Sequence, residues 1–537
     1  MRLWNLRSEE PVAKKNLVTK IAYGTLSVIG ALIFLALLYY STFYTQYMMP
    51  GGPEMAVDIK DHPLRNLASF LLLTAAGFGL HKLGLVLSEK KRNLVEVIAV
   101  VGSMLWIGIW GWWWIHGLDR VPEGDQAFIY GGASYFIEGG YSFLGHGGYC
   151  QFYSQQLGQI AVVEFLFRIV GTYQYFVIEK ICVFFAAFVD LLGYLILRET
   201  KAGFASRILY SILMMGCIPL VCYTSWVYGD LPSTFFLLLA VFFILRLHKN
   251  CRWYYMLLIV LSFVMASLVR KNSMIFLVAF GILAGLYLIW LRRWRMVLAV
   301  LLAFLGSVLA YEGIYAMYEK RSGYEIESGL PASSWIAMGM QESWNGCGWY
   351  NNYPKEIGGQ LDWDYAAVGR HMSWYIRDRA EEFLENPGYA IDFYKKKILS
   401  QWNEPLYQSV FFSTNFKEEA GPAPGSALDR LYHTEEGYFK ALGWADCWQF
   451  LIYLGVVCYF LFAVRKPENP MELLLTVTVV GGFFFSILWE AKARYSFPYY
   501  LMMFPMAVTG YQEAAGVACR VFERFRRVQK TEETEGK

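Results

Sequence analysis

Long apolar runs recur along almost the whole chain, and they leave few folds open to it. A helix of about 20 apolar residues crosses a hydrocarbon core of about 30 Å, so a run of about 18 residues or more is a candidate span. Runs of this length do not alternate in polarity as barrel strands do, and a helix satisfies its own backbone hydrogen bonds in lipid. The sequence therefore predicts an all-α polytopic membrane protein with about 12 transmembrane helices. The predicted spans are residues 17–43, 66–88, 94–116, 173–197, 208–224, 231–247, 253–269, 273–291, 296–318, 448–464, 471–489 and 496–515.

The composition excludes several other classes of protein. Of the 537 residues, 56% are hydrophobic and only 17% are charged, against about 25% charged in ordinary soluble domains. Such a chain is neither a disordered or fibrous protein nor a cytosolic enzyme. The net charge of +3 is too small to indicate a nucleic-acid partner. The sequence contains no HExxH, CxxC, GxSxG or P-loop motif, so it indicates no metal site and no cofactor, although it does not exclude a divalent metal.

The basic residues determine the predicted orientation, because cytoplasmic loops of membrane proteins are rich in lysine and arginine. If the N-terminus is cytoplasmic, every even-numbered connection lies inside, and each of these connections is basic. The other side receives two long connections, the first polar segment (residues 117–172) and the second polar segment (residues 319–446). We expect a plasma-membrane protein with both termini in the cytoplasm. The inner basic residues are Arg2, Arg7, Lys14, Lys15, Lys90, Lys91, Arg92, Arg198, Lys201, Arg207, Arg246, Lys249, Arg252, Arg292, Arg293, Arg295, Arg465, Lys466, Arg520, Arg524, Arg526, Arg527 and Lys530.

The first polar segment contains an apolar stretch that we do not count as a span. Residues 154–170 read "SQQLGQIAVVEFLFRIV", and treating them as a span would place the basic loop that follows the next span outside. Glu164 and Arg168 are spaced i, i+4 in this stretch and can share a polar face. We predict a helix that lies in the outer membrane interface.

The second polar segment is long enough to form a small folded domain on the outer face. Residues 366–386 have the pattern of an amphipathic helix, and the sequence Asn386-Pro387-Gly388 predicts its end. Residues 419–426, "EAGPAPGS", predict a flexible loop. Together these features indicate a domain of helices and loops rather than another part of the membrane bundle.

Two acidic residues follow spans at the predicted outer face. Asp125 lies in "EGDQAFIYGG", just after the third span, where a carboxylate can act as a general base on a group at the water–lipid boundary. The alternative is that Asp125 caps a helix that begins near Gln126. Asp230 lies in "YGDLPSTFF" and is the second candidate acid at this face. The alternative interpretation is that Asp230 belongs to an ordinary turn before a helix that begins near Pro232.

Basic residues at two outer helix ends run against the positive-inside trend. Arg270 and Lys271 lie in "LVRKNS", and Lys492 and Arg494 lie beside Glu490 in "WEAKARYSFPYY". An anionic ligand such as a lipid phosphate would explain the cations, since arginine binds phosphate with two parallel hydrogen bonds. Snorkelling to headgroups and a solvated loop are the alternatives. A site that needs a base and a phosphate binder on one face accounts for both acids and both basic clusters.

The order of these motifs resembles the GT-C superfamily of polytopic glycosyltransferases, which includes protein O-mannosyltransferases and lipid A aminoarabinose transferases. The similar features are the acid in "EGDQAFIYGGASYF", the "YSQQLGQI" stretch before an interfacial helix, the second acid in "YGDLPSTFF", "VRKNS" and "EAKARYSFPYY". The likeness covers about residues 94–320 and 480–512. The resemblance implies the following units: a two-helix addition in residues 1–93, a GT-C-like core in 94–318, an outer-face domain in 319–446, C-terminal spans in 447–515 and a cytoplasmic basic tail in 516–537.

The resemblance also implies a mechanism. A sugar on a polyprenyl phosphate would be the donor, and a hydroxyl of a glycan, lipid or protein acceptor would attack the anomeric carbon in one inverting step. Asp125 would be the base and Asp230 would position acceptor or base, while Arg270, Lys271 and Arg494 would hold the phosphate leaving group. Gln126 stands where many relatives have a second acid, so a two-carboxylate metal site is doubtful. The substrate-binding residues implied by the resemblance are Gln126, Tyr153, Gln155, Gln156, Glu490 and Lys492.

Two other classes share part of this pattern. A transporter or lipid flippase would have the same spans and basic loops, but it would usually place paired charges at the bilayer midplane or contain repeated halves. A polytopic scaffold without chemistry would leave the outer acids and cations unexplained. Consumption of a polyprenyl-phosphate sugar by the purified protein distinguishes the enzyme from both.

Overall fold

The computed structural model describes residues 16–414, 416 and 421–535. The predicted basic residues Arg2, Arg7, Lys14 and Lys15 lie outside this range. Helices make up 77% of the structure, and the chain begins with two helices joined by an antiparallel hairpin in which Tyr44 is opposite Lys60. The first elements are α1 (Leu17–Phe43), β1 (Tyr44–Tyr47), β2 (Val57–Lys60), α2 (Pro63–Val86) and α3 (Glu89–Leu118).

The first polar segment folds into short helices packed against the long ones. Its elements are α4 (Asp125–Ile137), α5 (Tyr149–Phe152) and α6 (Leu157–Val170), with 3-10 turns at Ser142–Leu144 and Ser154–Gln156. Glu164 and Arg168 do share one face of α6, where they form an ion pair at 2.6 Å. Glu164 also accepts a hydrogen bond from Tyr318 at 2.6 Å and pairs with Arg321 at 2.8 Å. These contacts fix α6 against the helix that contains Tyr318 and Arg321.

The middle of the chain is a series of apolar helices. They are α7 (Tyr175–Glu199), α8 (Phe204–Met215), α9 (Ile218–Cys222), α10 (Asp230–Asn250), α11 (Trp253–Val269), α12 (Met274–Leu291, preceded by a 3-10 turn at Lys271–Ser273) and α13 (Arg295–Ser322). The predicted span 208–224 is broken between α8 and α9. Gly216 is the C-cap of α8, and Pro219 lies in the first turn of α9, where a proline needs no hydrogen-bond acceptor for its nitrogen.

The second polar segment is largely helical. Its elements are α14 (Ala332–Gly339), β3 (Glu342–Ser343), β4 (Gly346–Cys347), α15 (Tyr353–Gln360), α16 (Tyr365–Glu385), α17 (Pro387–Trp402), a 3-10 turn at Phe411–Ser413 and α18 (Ala427–His433). The amphipathic helix predicted over 366–386 is confirmed as α16, and its predicted end at Asn386 is also the start of α17. Of the predicted loop 419–426, residues 419 and 420 lie outside the described part, and the rest is not helical.

Three helices complete the chain and hold its two ends together. They are α19 (Glu435–Phe462), α20 (Leu474–Leu488, after a 3-10 turn at Pro470–Leu473) and α21 (Phe497–Glu535, after a 3-10 turn at Ala493–Tyr495). The hydroxyl of Ser27 in α1 donates to the Phe460 carbonyl of α19 at 2.7 Å. α19 and α21 approach closely at Gly510, where a Cβ atom would lie 2.0 Å from the Gly455 carbonyl oxygen. Small residues allow helix backbones to pack this tightly in membranes.

Nine helices among the described residues are long and apolar enough to cross a membrane, which is the architecture of an all-α polytopic membrane protein. They are Leu17–Phe43, Pro63–Val86, Glu89–Leu118, Tyr175–Glu199, Asp230–Asn250, Lys271–Leu291, Arg295–Ser322, Glu435–Phe462 and Pro470–Leu488. The predicted span 208–224 is divided, 253–269 is a helix of 17 residues, and 496–515 lies within α21. These three do not meet the same measure of length and hydropathy, so a count of 12 stays a prediction.

The connections gather at two ends of the bundle. α10 begins at Asp230, beside Arg270, and ends at Asn250. The helix has 21 residues, so its two ends are about 30 Å apart. We call the end with Asp230 and Arg270 the site end and the end with Asn250 the opposite end. The hairpin, both polar segments and the loops before α10, α12 and α21 contribute to one cavity at the site end. Successive spans run in opposite directions, so every second connection lies at the same end of the bundle.

We expect the site end to face the cell exterior, and cysteine labelling tests this expectation. In a background with the exposed Cys519 replaced by serine, Ser373→Cys in α16 should react with a membrane-impermeant maleimide in intact cells. Ser88→Cys, at the opposite end, should react only after permeabilisation. Both positions are exposed, so access depends on the side of the membrane. The reverse pattern would contradict the orientation.

Candidate functional site

A cavity of about 720 Å³ opens at the site end. The loop between β1 and β2, both polar segments and three short interhelical loops line it, so it combines parts of the chain that are distant in sequence. Among the predicted site residues, nine line this cavity and two do not. The nine are Asp125, Tyr153, Gln155, Gln156, Arg270, Lys271, Glu490, Lys492 and Arg494.

Asp125 is the first residue of α4, and its carboxylate is directed towards the cavity. The N-cap of α4 is Gly124, which has a positive φ of 55°, so the alternative that Asp125 caps this helix is not what the structure contains. The carboxylate pairs with Arg494 at 3.2 Å and accepts a hydrogen bond from the Tyr149 hydroxyl at 3.3 Å. Its side chain is 39% exposed, and the positive end of the helix favours its negative charge. Asp125 is thus an accessible carboxylate in a cationic setting.

Asp230 lies behind the cavity wall rather than at its surface. Its carboxylate is fully buried and pairs with Arg270 at 2.7 Å, and it accepts a hydrogen bond from Trp226 Nε1 at 2.9 Å. α10 begins at Asp230 itself, not near Pro232. Because a buried ion pair is favourable only with good geometry, this contact fixes the direction of Arg270. Asp230 therefore positions a cation that does line the cavity.

Arg270 and Arg494 come from distant loops and lie on the same side of the bundle. Arg270 precedes the 3-10 turn before α12, and Arg494 lies in the 3-10 turn before α21. Both guanidinium carbons lie within 6 Å of the ring centres of Tyr228 and Tyr495, at 5.9 and 5.2 Å for Arg270 and 5.1 and 5.3 Å for Arg494. Lys271 adjoins them, with its ammonium 4.2 Å from the Tyr311 ring centre.

Arg494 retains hydrogen-bonding capacity towards the cavity. Its side chain is 5% exposed, and its carboxylate partner is Asp125. Its Nε has no hydrogen-bond partner among the described residues, although buried polar groups are usually satisfied. An oxyanion in the cavity would supply acceptors for this guanidinium.

The loop between β1 and β2 reaches into the site, which the sequence reasoning missed. Glu54 in this loop pairs with Lys492 at 2.8 Å and accepts a hydrogen bond from Gln408 Nε2 at 2.9 Å. The sequence Pro50-Gly51-Gly52-Pro53 marks a tight loop between the first two spans and is the signal that was available. The hairpin between α1 and α2 thus contributes directly to the cavity.

Glu490 is a buried acid at the cavity wall. It accepts a hydrogen bond from the Tyr495 hydroxyl, and burial raises the pKa of its carboxyl, against the effect of Lys492. Its second oxygen has no hydrogen-bond partner among the described residues. Glu490 is therefore a second group with unused hydrogen-bonding capacity beside Arg494.

Gln126 is the one predicted substrate-binding residue that does not line the cavity. Its side chain is fully buried, and its Oε1 accepts a hydrogen bond from the Val227 amide at 3.0 Å. This contact ties α4 to the loop before α10. Because successive side chains of a helix point about 100° apart around its axis, the sequence neighbour of a cavity residue is here a packing residue.

Aromatic side chains form one wall of the cavity. The rings of Tyr153 and Trp335 stack with centroids 5.7 Å apart, and Trp335 contacts Trp489 with centroids 6.2 Å apart. Lys355 of α15 lies over the ring of Tyr153 at 5.0 Å. Trp335 and Lys355 were also missed, because the second polar segment contains many tryptophan and lysine residues and nothing in the sequence distinguishes these two.

No group of three or more His, Cys, Asp or Glu side chains in the described part of the chain is arranged to hold a metal ion. Comparison with protein-family models and with curated proteins finds no match to this chain.

A tight turn behind the cavity depends on Glu404. Tyr407 and Gln408 both have positive φ, 51° and 59°, and the Glu404 carboxylate accepts the amide hydrogens of Leu406 at 3.2 Å and Gln408 at 2.6 Å. Gln408 Oε1 in turn accepts the Arg494 amide at 3.2 Å. Burial raises the pKa of Glu404 to about 8, although the two amides favour the ionised form.

Glu404 should make the stability of the protein fall with rising pH. The folded state binds this proton more tightly than the unfolded state, so the free energy of unfolding should decrease from about pH 4.5 to about pH 8 and then level off. Glu404→Gln should remove this contribution and flatten that part of the profile. Thermal unfolding across this pH range measures it, with the exposed Glu356→Gln as a control. An unchanged slope in Glu404→Gln would contradict the assignment.

Proposed function

We propose that the protein is an inverting glycosyltransferase of the GT-C type. It transfers a sugar from a polyprenyl-phosphate donor to a hydroxyl of a glycan, lipid or protein acceptor at the outer face of the plasma membrane. The observation that carries the proposal is the single cavity at the ends of membrane-length helices in which Asp125, Arg270, Lys271 and Arg494 meet. A general base and a cluster of cations are the groups that this reaction requires.

The proposed base is Asp125. Its exposure leaves room for an acceptor hydroxyl, whose proton the carboxylate takes as the oxygen attacks the anomeric carbon. In the structure Arg494 pairs with Asp125. A donor phosphate that binds Arg494 would compete with Asp125 for that guanidinium. Donor binding would then leave the Asp125 carboxylate available to the acceptor hydroxyl.

The proposed leaving-group site consists of Arg270, Lys271 and Arg494. Negative charge develops on the phosphate as the glycosidic bond breaks, and cations already held in place stabilise that charge without reorganisation. Asp230 and Trp226 hold Arg270 from behind. A phosphate leaving group needs no protonation, so a second catalytic acid is unnecessary, unlike in glycosidases.

We place the site end outside the cell and both termini in the cytoplasm, with 12 helices crossing the membrane and the second polar segment as an outer-face domain. The basic loops between spans lie at the opposite end, which supports this orientation. Polyprenyl donors are anchored in lipid, so a site at the membrane boundary suits them. Arg270 and Lys271 lie between the end of α11 and the start of α12, at the end of the bundle where we place this boundary.

One observation favours the alternative of a transporter or lipid flippase. A second cavity, of about 1190 Å³, lies at the opposite end and is lined in part by Asn16, His248 and Arg293. The two cavities have no lining residue in common. Movement of a polyprenyl-phosphate sugar between leaflets of proteoliposomes without its consumption would favour this alternative.

Asp125→Asn should reduce transfer by about 10²–10⁴-fold, the usual effect of losing a general base. The measurement is donor consumption by the purified protein over a panel of polyprenyl-phosphate sugars, with the melting temperature as a check on folding. Asp392→Asn removes an exposed carboxylate from α17 and should leave transfer unchanged. Near-native turnover of Asp125→Asn would exclude Asp125 as the base, and no consumption of any donor by the native protein would contradict the proposed enzyme.

Removal of the cavity arginines should weaken donor binding by about 1.5–3 kcal/mol each, the range for hydrogen bonds to charged groups. Because Arg270→Ala alone would leave Asp230 buried without its partner, this change is combined with Asp230→Asn. Arg494→Lys should keep the positive charge but restore little of the donor affinity, since lysine lacks the planar guanidinium that binds phosphate with two hydrogen bonds. Titration with a polyprenyl phosphate measures the loss, and the exposed Arg370→Ala serves as a control. Unchanged donor affinity in both variants would leave the phosphate without its proposed site.

A further inference from the structure

The aromatic wall of the cavity holds a cation that the proposed phosphate site does not use. Lys355 lies on α15 of the second polar segment, and the same wall contains Trp335 and Tyr153. The proposed base and phosphate binders come from other elements. This wall therefore has the features of a separate subsite within one cavity.

Lys355, like Lys271, lacks the carboxylate partner that three other cations of the cavity have among the described residues. Arg270 pairs with Asp230, Lys492 with Glu54 and Arg494 with Asp125. In the described part of the chain, no carboxylate lies within ion-pair distance of Lys355. Its positive charge therefore has no direct ion-pair partner.

The surroundings of Lys355 favour an incoming anion. Its ammonium lies 5.2 Å from the Phe152 ring centre and 5.0 Å from the Tyr153 ring centre. Burial lowers the pKa of Lys355, and the charge of Asp125 acts in the opposite direction. A half-buried cation with aromatic neighbours and no counter-ion gains more from an anionic ligand than a fully solvated lysine does.

Aromatic faces beside Lys355 suit a sugar ring. Tyr153 and Trp335 stack with an interplanar angle of 24°, and Trp335 lies at 33° to Trp489. The C–H face of a pyranose is apolar and packs on such rings, while its hydroxyl groups reach polar atoms of the wall. A sugar ring against Tyr153 would bring a substituent within reach of Lys355, whose ammonium lies 5.0 Å from the centre of the Tyr153 ring.

We propose that this wall is the acceptor subsite and that it binds a sugar unit that carries a negative charge, either a carboxylate or a phosphate. The inference rests on the proposed function and adds the chemical class of the acceptor. The sugar ring packs against the partly exposed Tyr153, which Trp335 supports from behind, the anionic group binds Lys355, and the attacking hydroxyl faces Asp125. The donor phosphate occupies Arg270, Lys271 and Arg494, so the two anions bind to different cations.

Equilibrium binding to the full-length protein without donor tests the subsite independently of transfer. The probes are methyl glucuronide and glucose 6-phosphate, each compared with methyl glucoside. Native protein should bind one or both anionic probes about ten- to hundredfold more tightly than the neutral sugar, the range expected for a hydrogen bond to a charged group. A preference for one probe alone would identify the carboxylate or the phosphate as the natural group. Equal binding of all three would overturn the proposal.

Four variants assign the preference to its residue. Lys355→Gln should abolish the preference, Lys355→Arg should retain it, and Lys395→Gln, on α17 and outside the cavity lining, should have no effect. Arg494→Ala should also leave the preference intact. If the preference survives Lys355→Gln but is lost in Arg494→Ala, the anion binds at the phosphate site and the acceptor subsite is wrong.

The two proposals can fail separately. If the native protein binds the anionic probes through Lys355 but consumes no donor, the glycosyltransferase proposal fails and the anionic sugar site stands. If donor is consumed and Lys355→Gln leaves the KM for an anionic acceptor unchanged, the acceptor inference fails while the transferase proposal stands.

Discussion

A backbone inside lipid has no water to satisfy its peptide groups, and this constraint determines where the chain can place chemistry. The membrane-length segments are accordingly helices with apolar surfaces, and charged groups collect at helix ends and in the connections. The cavity lies where these conditions place it, at the ends of α10, α11 and α12 and beneath both polar segments. Helix length keeps it about 30 Å from the basic loops at the opposite end.

Two ion pairs at the cavity differ in burial and therefore in what they do. Asp230 and Arg270 are both largely buried, so a ligand cannot easily replace either partner. Their ion pair fixes the direction of the Arg270 side chain. Asp125 is far more exposed than its partner Arg494, so a ligand can replace one member of that pair. The same kind of interaction thus fixes the direction of Arg270 in one place and leaves an accessible carboxylate in the other.

Elements outside the core helices complete the cavity. Glu54 comes from the hairpin after α1, and Trp335 and Lys355 come from the second polar segment. The turn held by Glu404 connects these parts, since Gln408 contacts both Glu54 and the Arg494 backbone. The shape of the cavity therefore depends on segments that are far apart in the sequence.

The sequence alone determined the helical class, the alternation of connections and the end of the bundle at which Asp125, Arg270, Lys271 and Arg494 would meet. These features follow from local hydropathy and from charge placement relative to helix ends, which a linear pattern records directly. The break of the predicted span 208–224 also has a local sequence signal, which is the pair of helix-breaking residues Gly216 and Pro219. The apolar run continues through both residues, so hydropathy alone predicted one unbroken span.

Only the tertiary structure decided which of these residues face the cavity. It placed Asp230 and Gln126 behind the wall and brought Glu54, Trp335 and Lys355 into it. Side-chain direction depends on how helices rotate and pack against one another, and a single loop can present neighbouring residues to opposite sides. Contacts between segments hundreds of residues apart leave no periodic trace in the sequence, so the lining of the cavity is a property of packing.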